Sequence, residues 1–119
     1  MEQKREIIFF RHYFKDFYNP LKEKVKTKID YVLYLVVTAE RIPKKFFKYM
    51  DGSEGIFEIR IEYESNIYRI FCCFDEGNLV VLFNGFQKKS QKTPSKEIDL
   101  ANNIKKEYFK SKKIKRWKQ

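Results

Sequence analysis

The chain is poor in the residues that most often carry metal or nucleophile chemistry. It has one histidine, His12, and two cysteines, Cys72 and Cys73. Neighbouring strand residues point to opposite faces, so these thiols cannot turn together toward one ligand site, and a disulfide between them would be strained. They read as two reduced, buried thiols. A Ser-His-Asp or Cys-His arrangement would need His12 as its base, and no local signature accompanies it. His12 reads instead as an ordinary surface or half-buried side chain. The acids are scattered rather than clustered for magnesium, so neither a metal nor a cofactor is expected. Only four glycines are present, all in apparent turns, which excludes a glycine-rich phosphate loop. No run approaches the roughly 20 apolar residues of a membrane span. The polar opening meets only Ile7 to Phe10 before polar residues return, too short for the core of a signal peptide. A cytoplasmic protein with no membrane partner is the expectation.

What the chain does have is positive charge and aromatic bulk. Twenty-six lysines and arginines stand against 16 acids, for a formal charge of +10. That excess favours a polyanionic partner, either nucleic acid or an acidic protein. Hydrophobic residues make up 43% and aromatics 18% of the 119 residues, enough for one real core and one domain. The domain is expected over 1–110, followed by a lysine-dominated tail over 111–119, frayed or disordered. There is no internal repeat.

The pattern along the chain predicts an α+β fold. Glu6 to Phe10 reads as a first strand. Asn19-Pro20 looks like a helix start, and Leu21, Val25, Ile29, Val32, Leu33 and Val36 then recur at helical spacing. A second, shorter helix is expected from Pro43 toward Met50, with Phe46, Phe47 and Met50 inward. The period then changes to two: Phe57, Ile59, Ile61 and Tyr63 alternate with Glu58, Arg60, Glu62 and Glu64. Turns near Ser65 and at Asp75 to Asn78 divide three strands, the last expected from Leu79 to Phe83. Gln87 to Thr93 reads as a polar loop, and Thr93-Pro94 opens a final helix with Ile98, Ala101, Ile104 and Phe109 inward. The predicted order is β-α-α-β-β-β-α with an antiparallel sheet, two N-terminal helices packed on it and a C-terminal helix.

The chemistry on offer is therefore cationic. A two-residue turn at Glu64-Ser65 or Ser65-Asn66 puts Arg60 and Arg69 on one face of neighbouring strands. Paired guanidinium groups suit phosphate and can stabilise charge growing on phosphorus during cleavage. Glu58 and Glu62 share that face and are equally able to pair with both arginines; the strand pattern favours neither reading. The stretch Gly85 to Pro94 places Phe86 with Lys88, Lys89 and Lys92 directly after a core strand. Phe86 could stack on a base while the lysines meet a backbone, although such a charge run is also the ordinary make-up of a solvated loop. A lysine crowded by cations has its ammonium form disfavoured, which suits it to proton transfer. Arginine stays protonated and cannot serve as the base. RNA supplies its own 2′-hydroxyl nucleophile, so this residue kit fits RNA cleavage and fits DNA cleavage poorly. Lys112 to Trp117 invites a nucleic-acid reading as well, and a solubilising tail accounts for it equally.

Three blocks occurring in order carry a family resemblance. They are Asp51-Gly52-Ser53-Glu54-Gly55-Ile56-Phe57-Glu58-Ile59-Arg60, then Tyr68-Arg69-Ile70, then Leu82-Phe83-Asn84-Gly85-Phe86-Gln87-Lys88-Lys89-Ser90-Gln91-Lys92-Thr93-Pro94. Together they resemble the phage-derived, HigB-type branch of the RelE/ParE toxin superfamily, over roughly residues 6 to 110. The resemblance implies a RelE-like α+β fold, cleavage of mRNA on the ribosome without a metal, and neutralisation by a cognate antitoxin, typically a helix-turn-helix protein. It implies that Arg60 and Arg69 act on the scissile phosphate. Lys88, Lys89 and Lys92 would contact RNA and assist proton transfer, and Phe86 would support or stack on the base. Many relatives carry histidine where this chain has Asn84, which can hydrogen-bond but cannot exchange a proton near neutral pH, so catalysis would fall to lysine. Gyrase-poisoning ParE-type toxins share the fold, and a non-catalytic nucleic-acid or ribosome binder would share the charge, so those alternatives stand beside the nuclease.

Overall fold

Alternating side chains commit Ile56–Tyr63 to a strand with one apolar face, and the rest of the sheet is built outward from it. The computed structural model describes residues 2–118. Its elements are β1 (Glu6–Phe9), α1 (Tyr13–Tyr18), α2 (Glu23–Thr38), β2 (Phe47–Tyr49), β3 (Ile56–Tyr63), β4 (Asn66–Asp75), β5 (Leu79–Lys88) and α3 (Ser95–Lys118). The five strands form one sheet in the order β1-β5-β4-β3-β2. The α+β class, the helices packed on the sheet and the C-terminal helix are as the sequence predicts.

The meander β3-β4-β5 is fixed by its turns. Tyr63 pairs with Asn66, so the first loop is Glu64-Ser65, and both residues take the positive φ of 46° and 70° that a twist-matched two-residue turn requires. At the second loop Glu76 and Gly77 supply φ of 43° and 79°. The pleat sends Cys72 and Cys73 into different cores on opposite faces, both as free thiols. Burial pushes the Cys72 thiol well above its ordinary value and that of Cys73 up to about 11, so neither is poised to react.

Four features differ from the sequence reading. First, Asn19-Pro20 does not open the long helix. Residues 13–18 already form α1, Asn19 closes it, and α2 begins at Glu23. Second, Pro43 to Met50 is not a helix. Its single turn, closed by Phe46 N–H donating to the Pro43 carbonyl at 2.9 Å, gives way to β2, which pairs antiparallel with β3. The open edge of β3 offers hydrogen bonds to an extended chain, and four residues are too few to sustain a helix against that. Third, the sheet is mixed rather than wholly antiparallel, because β1 pairs parallel with β5 and closes its edge. Fourth, β5 runs on to Lys88, so the strand expected to end at Phe83 is five residues longer and takes in the first two residues of the expected Gln87–Thr93 loop.

The helices cover opposite faces. Val25, Ile29, Val32 and Val36 of α2 pack with Ile59, Ile61, Ile70, Val80 and Leu82, joined by Phe14 of α1. Ala101, Ile104 and Tyr108 of α3 pack with Ile56, Phe71, Cys73, Val81 and Phe83 on the other face. At Gly85 α1 comes close to the sheet: a Cβ there would stand 2.4 Å from Phe17 Cδ2. Residues 111–118 continue α3 as helix instead of forming a separate frayed tail, and Gln119 lies outside the described residues. Among the described residues no helix is long and apolar enough to cross a membrane.

Candidate functional site

Pairing register builds the site. Arg60 stands directly across from Arg69, and Arg69 directly across from Phe86, so the three side chains share one cross-strand row on the face that α3 covers. Two residues further along, the next row on this face holds Glu62, Ile67 and Lys88. On the other side lies Glu58, opposite Phe71. The structure thus brings Arg60, Arg69 and Lys88 to one face, as the sequence predicts for the arginines.

A bulge shapes this face further. Ile70 pairs with Gly85 and Cys72 with Leu82, which leaves two β5 residues, Phe83 and Asn84, opposite Phe71. The extra residue turns Asn84 inward on the α3 side, where it would otherwise alternate away. There its Nδ2 donates to the backbone carbonyl of Glu97 and to Glu97 Oε1, both at 3.1 Å, pinning the first turn of α3. Asn84 is 4% exposed. Its place is a buried brace beside the row, not a surface contact. Phe86 is likewise buried, its ring 5.4 Å from that of Phe71, so it supports the row from within and offers little face for a base to stack on.

Arg69 is only 3% exposed, while Arg60 is half-buried. Arg69 Nε lies 3.2 Å from Glu58 Oε1, and Nη1 donates to the Tyr68 carbonyl at 3.1 Å. The Glu58 contact is an ion pair whose Nε–H geometry falls short of a well-aligned hydrogen bond. Burial pulls the Arg69 guanidinium below its ordinary value and the Arg60 charge adds to that, while Glu58 and Glu62 oppose it. The choice that the strand pattern left open therefore resolves in part: Glu58 does pair with Arg69. Yet Nε of Arg60 and Nε of Arg69, with Oδ1 of Asn84, are buried polar atoms that make no hydrogen bond. Two donors, the Nε–H groups of the arginines, and one acceptor, the Asn84 oxygen, are thus left without a hydrogen-bond partner on this face.

The lysines frame the open end of the row. Lys88 is half-buried, and Lys89 and Lys92 are exposed. Ser65, Ile67, Lys88, Lys89, Ser90 and Gln91 line a shallow groove of about 400 Å³ there. Ser90 Oγ donates to the Lys92 carbonyl at 2.9 Å and tightens the loop. His12 is exposed and bonds Asp16 through Nδ1 at 2.7 Å. No group of three or more metal-ligating side chains occurs among the described residues.

Sequence reasoning missed one polar cluster. Asp75, 8% exposed at the end of β4, accepts from Tyr108 Oη at 2.7 Å and from Lys112 Nζ at 2.6 Å. Lys112 also reaches Glu76 at 3.3 Å. Burial would push the Asp75 carboxyl up, but the Lys112 and Tyr108 hydrogen bonds outweigh it and hold the group below its ordinary range. The available signal was the helical spacing Ile104-Tyr108-Lys112, which continues the buried stripe past Ile104.

Fold and site define a small, basic α+β domain with two guanidinium groups side by side on the sheet face under its last helix. Residues 16–106 match the family described as Phage derived protein Gp49-like (DUF891). The match spans most of the chain, and the protein belongs to this phage-derived family. No curated protein matches it.

Proposed function

We propose that this protein is the toxin of a type II toxin–antitoxin system, a HigB-like member of the RelE/ParE superfamily that cleaves mRNA on the ribosome and is held in check by a cognate antitoxin. The observation that carries the proposal is the Arg60–Arg69 cross-strand pair, with hydrogen-bonding capacity unspent at both Nε atoms. The Gp49-like family membership and the +10 charge support it.

In the proposed reaction the 2′-oxygen attacks the adjacent phosphorus. The 2′-O–P bond forms, the P–5′-O bond breaks, and a 2′,3′-cyclic phosphate and a 5′-hydroxyl result. Arg60 and Arg69 hold the phosphate and stabilise the charge that accumulates on its oxygens. Lys88 or Lys89, on the open side of the row, accepts the 2′ proton and returns it to the leaving oxygen. Lys92 meets the backbone of the bound RNA, and Phe86 and Asn84 keep the row in place.

Induction of the wild-type protein should arrest growth and produce codon-positioned cuts in mRNA by primer extension. Arg60→Ala should relieve both while the protein remains folded by circular dichroism. Full toxicity in Arg60→Ala and Arg69→Ala alike removes the proposed site. A non-catalytic reading draws on one specific observation, the burial of Arg69 against Glu58. Growth arrest without mRNA cuts would favour it, and DNA damage in place of cuts would favour a gyrase-directed toxin.

A further inference from the structure

After Glu107 the chain has no acid but six cations: Lys110, Lys112, Lys113, Lys115, Arg116 and Lys118. This stretch lies outside residues 16–106, which match the family. It is not loose chain. It forms the last turns of α3, a helix of 24 residues and about 36 Å. Lys112 is tied down by Asp75 and Glu76, and Tyr108 by the same Asp75 oxygen, which fixes the helix against the β4–β5 turn.

With that face anchored, Lys106, Lys110 and Lys113 fall at spacings of four and three along the exposed side, and Lys115 flanks them. All four are exposed, and none has an acidic partner within ion-pair distance among the described residues. Among the residues of these turns whose exposure is described, Ile114 is the one exposed large hydrophobic residue. A surface so charged and so short of apolar area lacks the buried core that a protein partner needs. It suits a phosphate backbone, which binds cations through charge and counterion release with no demand for apolar contact.

We infer that the Lys106-Lys110-Lys113 face of α3, held rigid by the Asp75 clamp, docks on the phosphate backbone of double-helical RNA. The clamp lies six residues along β4 from Arg69, about 20 Å away. The backbone bound there is therefore a separate stretch from any phosphate at the arginine row, and a rigid duplex matches a rigid helix. RNA as the partner follows the function proposed above, but the surface is read by binding and not by cleavage.

The test is binding of the full-length protein to an RNA hairpin duplex, titrated by fluorescence anisotropy over a range of salt. Lys106→Gln/Lys110→Gln/Lys113→Gln should weaken binding at low salt and flatten the slope of log K against log salt by about 2 to 3, close to one per lost phosphate contact. Arg60→Ala should lose cleavage and flatten the slope by no more than about 1, the single contact it supplies, against about 2 to 3 for the triple variant, so failure of the nuclease reading and failure of this surface look different. An unchanged slope in the triple variant overturns the inference. So does binding of the wild-type protein to poly-glutamate as tightly as to the duplex, which would assign the face to an acidic protein.

Discussion

Replacing Glu58 with glutamine probes the arginine row from its least obvious side. The substitution keeps shape and removes one charge from a pair whose guanidinium is 3% exposed and whose carboxylate side chain is 15% exposed. Removing one partner of a fully buried ion pair costs about 3–5 kcal/mol. Here the lower side applies, because Glu58 retains some solvent, Glu62 still acts on Arg69, and the Tyr68 carbonyl still accepts from Nη1. A loss of about 2 kcal/mol is expected, a fall in urea midpoint of roughly 1 M at a typical m-value for a small domain. The same change frees Arg69 for another anion, so affinity for phosphate or a short RNA should rise at least threefold, about 0.7 kcal/mol or more. Urea denaturation followed by far-ultraviolet circular dichroism reads the first effect, and isothermal titration at fixed salt reads the second. If the midpoint moves by less than about 0.5 kcal/mol equivalent and affinity is unchanged, Arg69 is neither buried with Glu58 nor facing an anion site, and the reasoning fails.

Two further outcomes are expected. Gly85→Ala should destabilise the protein by about 1–3 kcal/mol, because the new Cβ meets Phe17 ring atoms at 2.4, 2.6 and 2.7 Å, and Phe17→Leu in the same chain should recover part of the loss in a double-mutant cycle of melting temperatures. The Asp75 carboxyl is held below its ordinary range in the folded state, so its contribution is complete above the unfolded value of about 3.9 and is lost as pH falls through the lower folded value. Asp75→Asn should therefore be less stable near neutrality but lose less on acidification, and urea midpoints at about pH 6 and about pH 2.5 compare the two.

Much of the central sheet was legible residue by residue. Alternation at Phe57 to Glu64 and a two-residue turn at either Glu64-Ser65 or Ser65-Asn66 gave the shared face of Arg60 and Arg69, and adjacency in a strand gave the opposed thiols of Cys72 and Cys73. The helical stripe from Val25 to Val36 identified α2, although Pro20 drew its start too early. The stretch from Pro43 to Met50 was misread because Phe46, Phe47 and Met50 suit a helix face as well as a strand edge, and only the neighbour decides between them. Asn84 and Phe86 looked accessible as loop residues because nothing local reveals that β5 continues and bulges.

What the sequence determined alone was whatever depends on one pleat, one turn or one helical repeat: the meander, the paired arginines, the amphipathic α2 and the excess of positive charge. Tertiary structure decided which edges β1 and β2 would fill, that Arg69 would sink against Glu58, and that the lysine-rich end would continue α3 with Lys112 bonded to Asp75. Those outcomes depend on groups distant in the chain, whose hydrogen bonds and burial exist only after the layers have packed, and no local period encodes them.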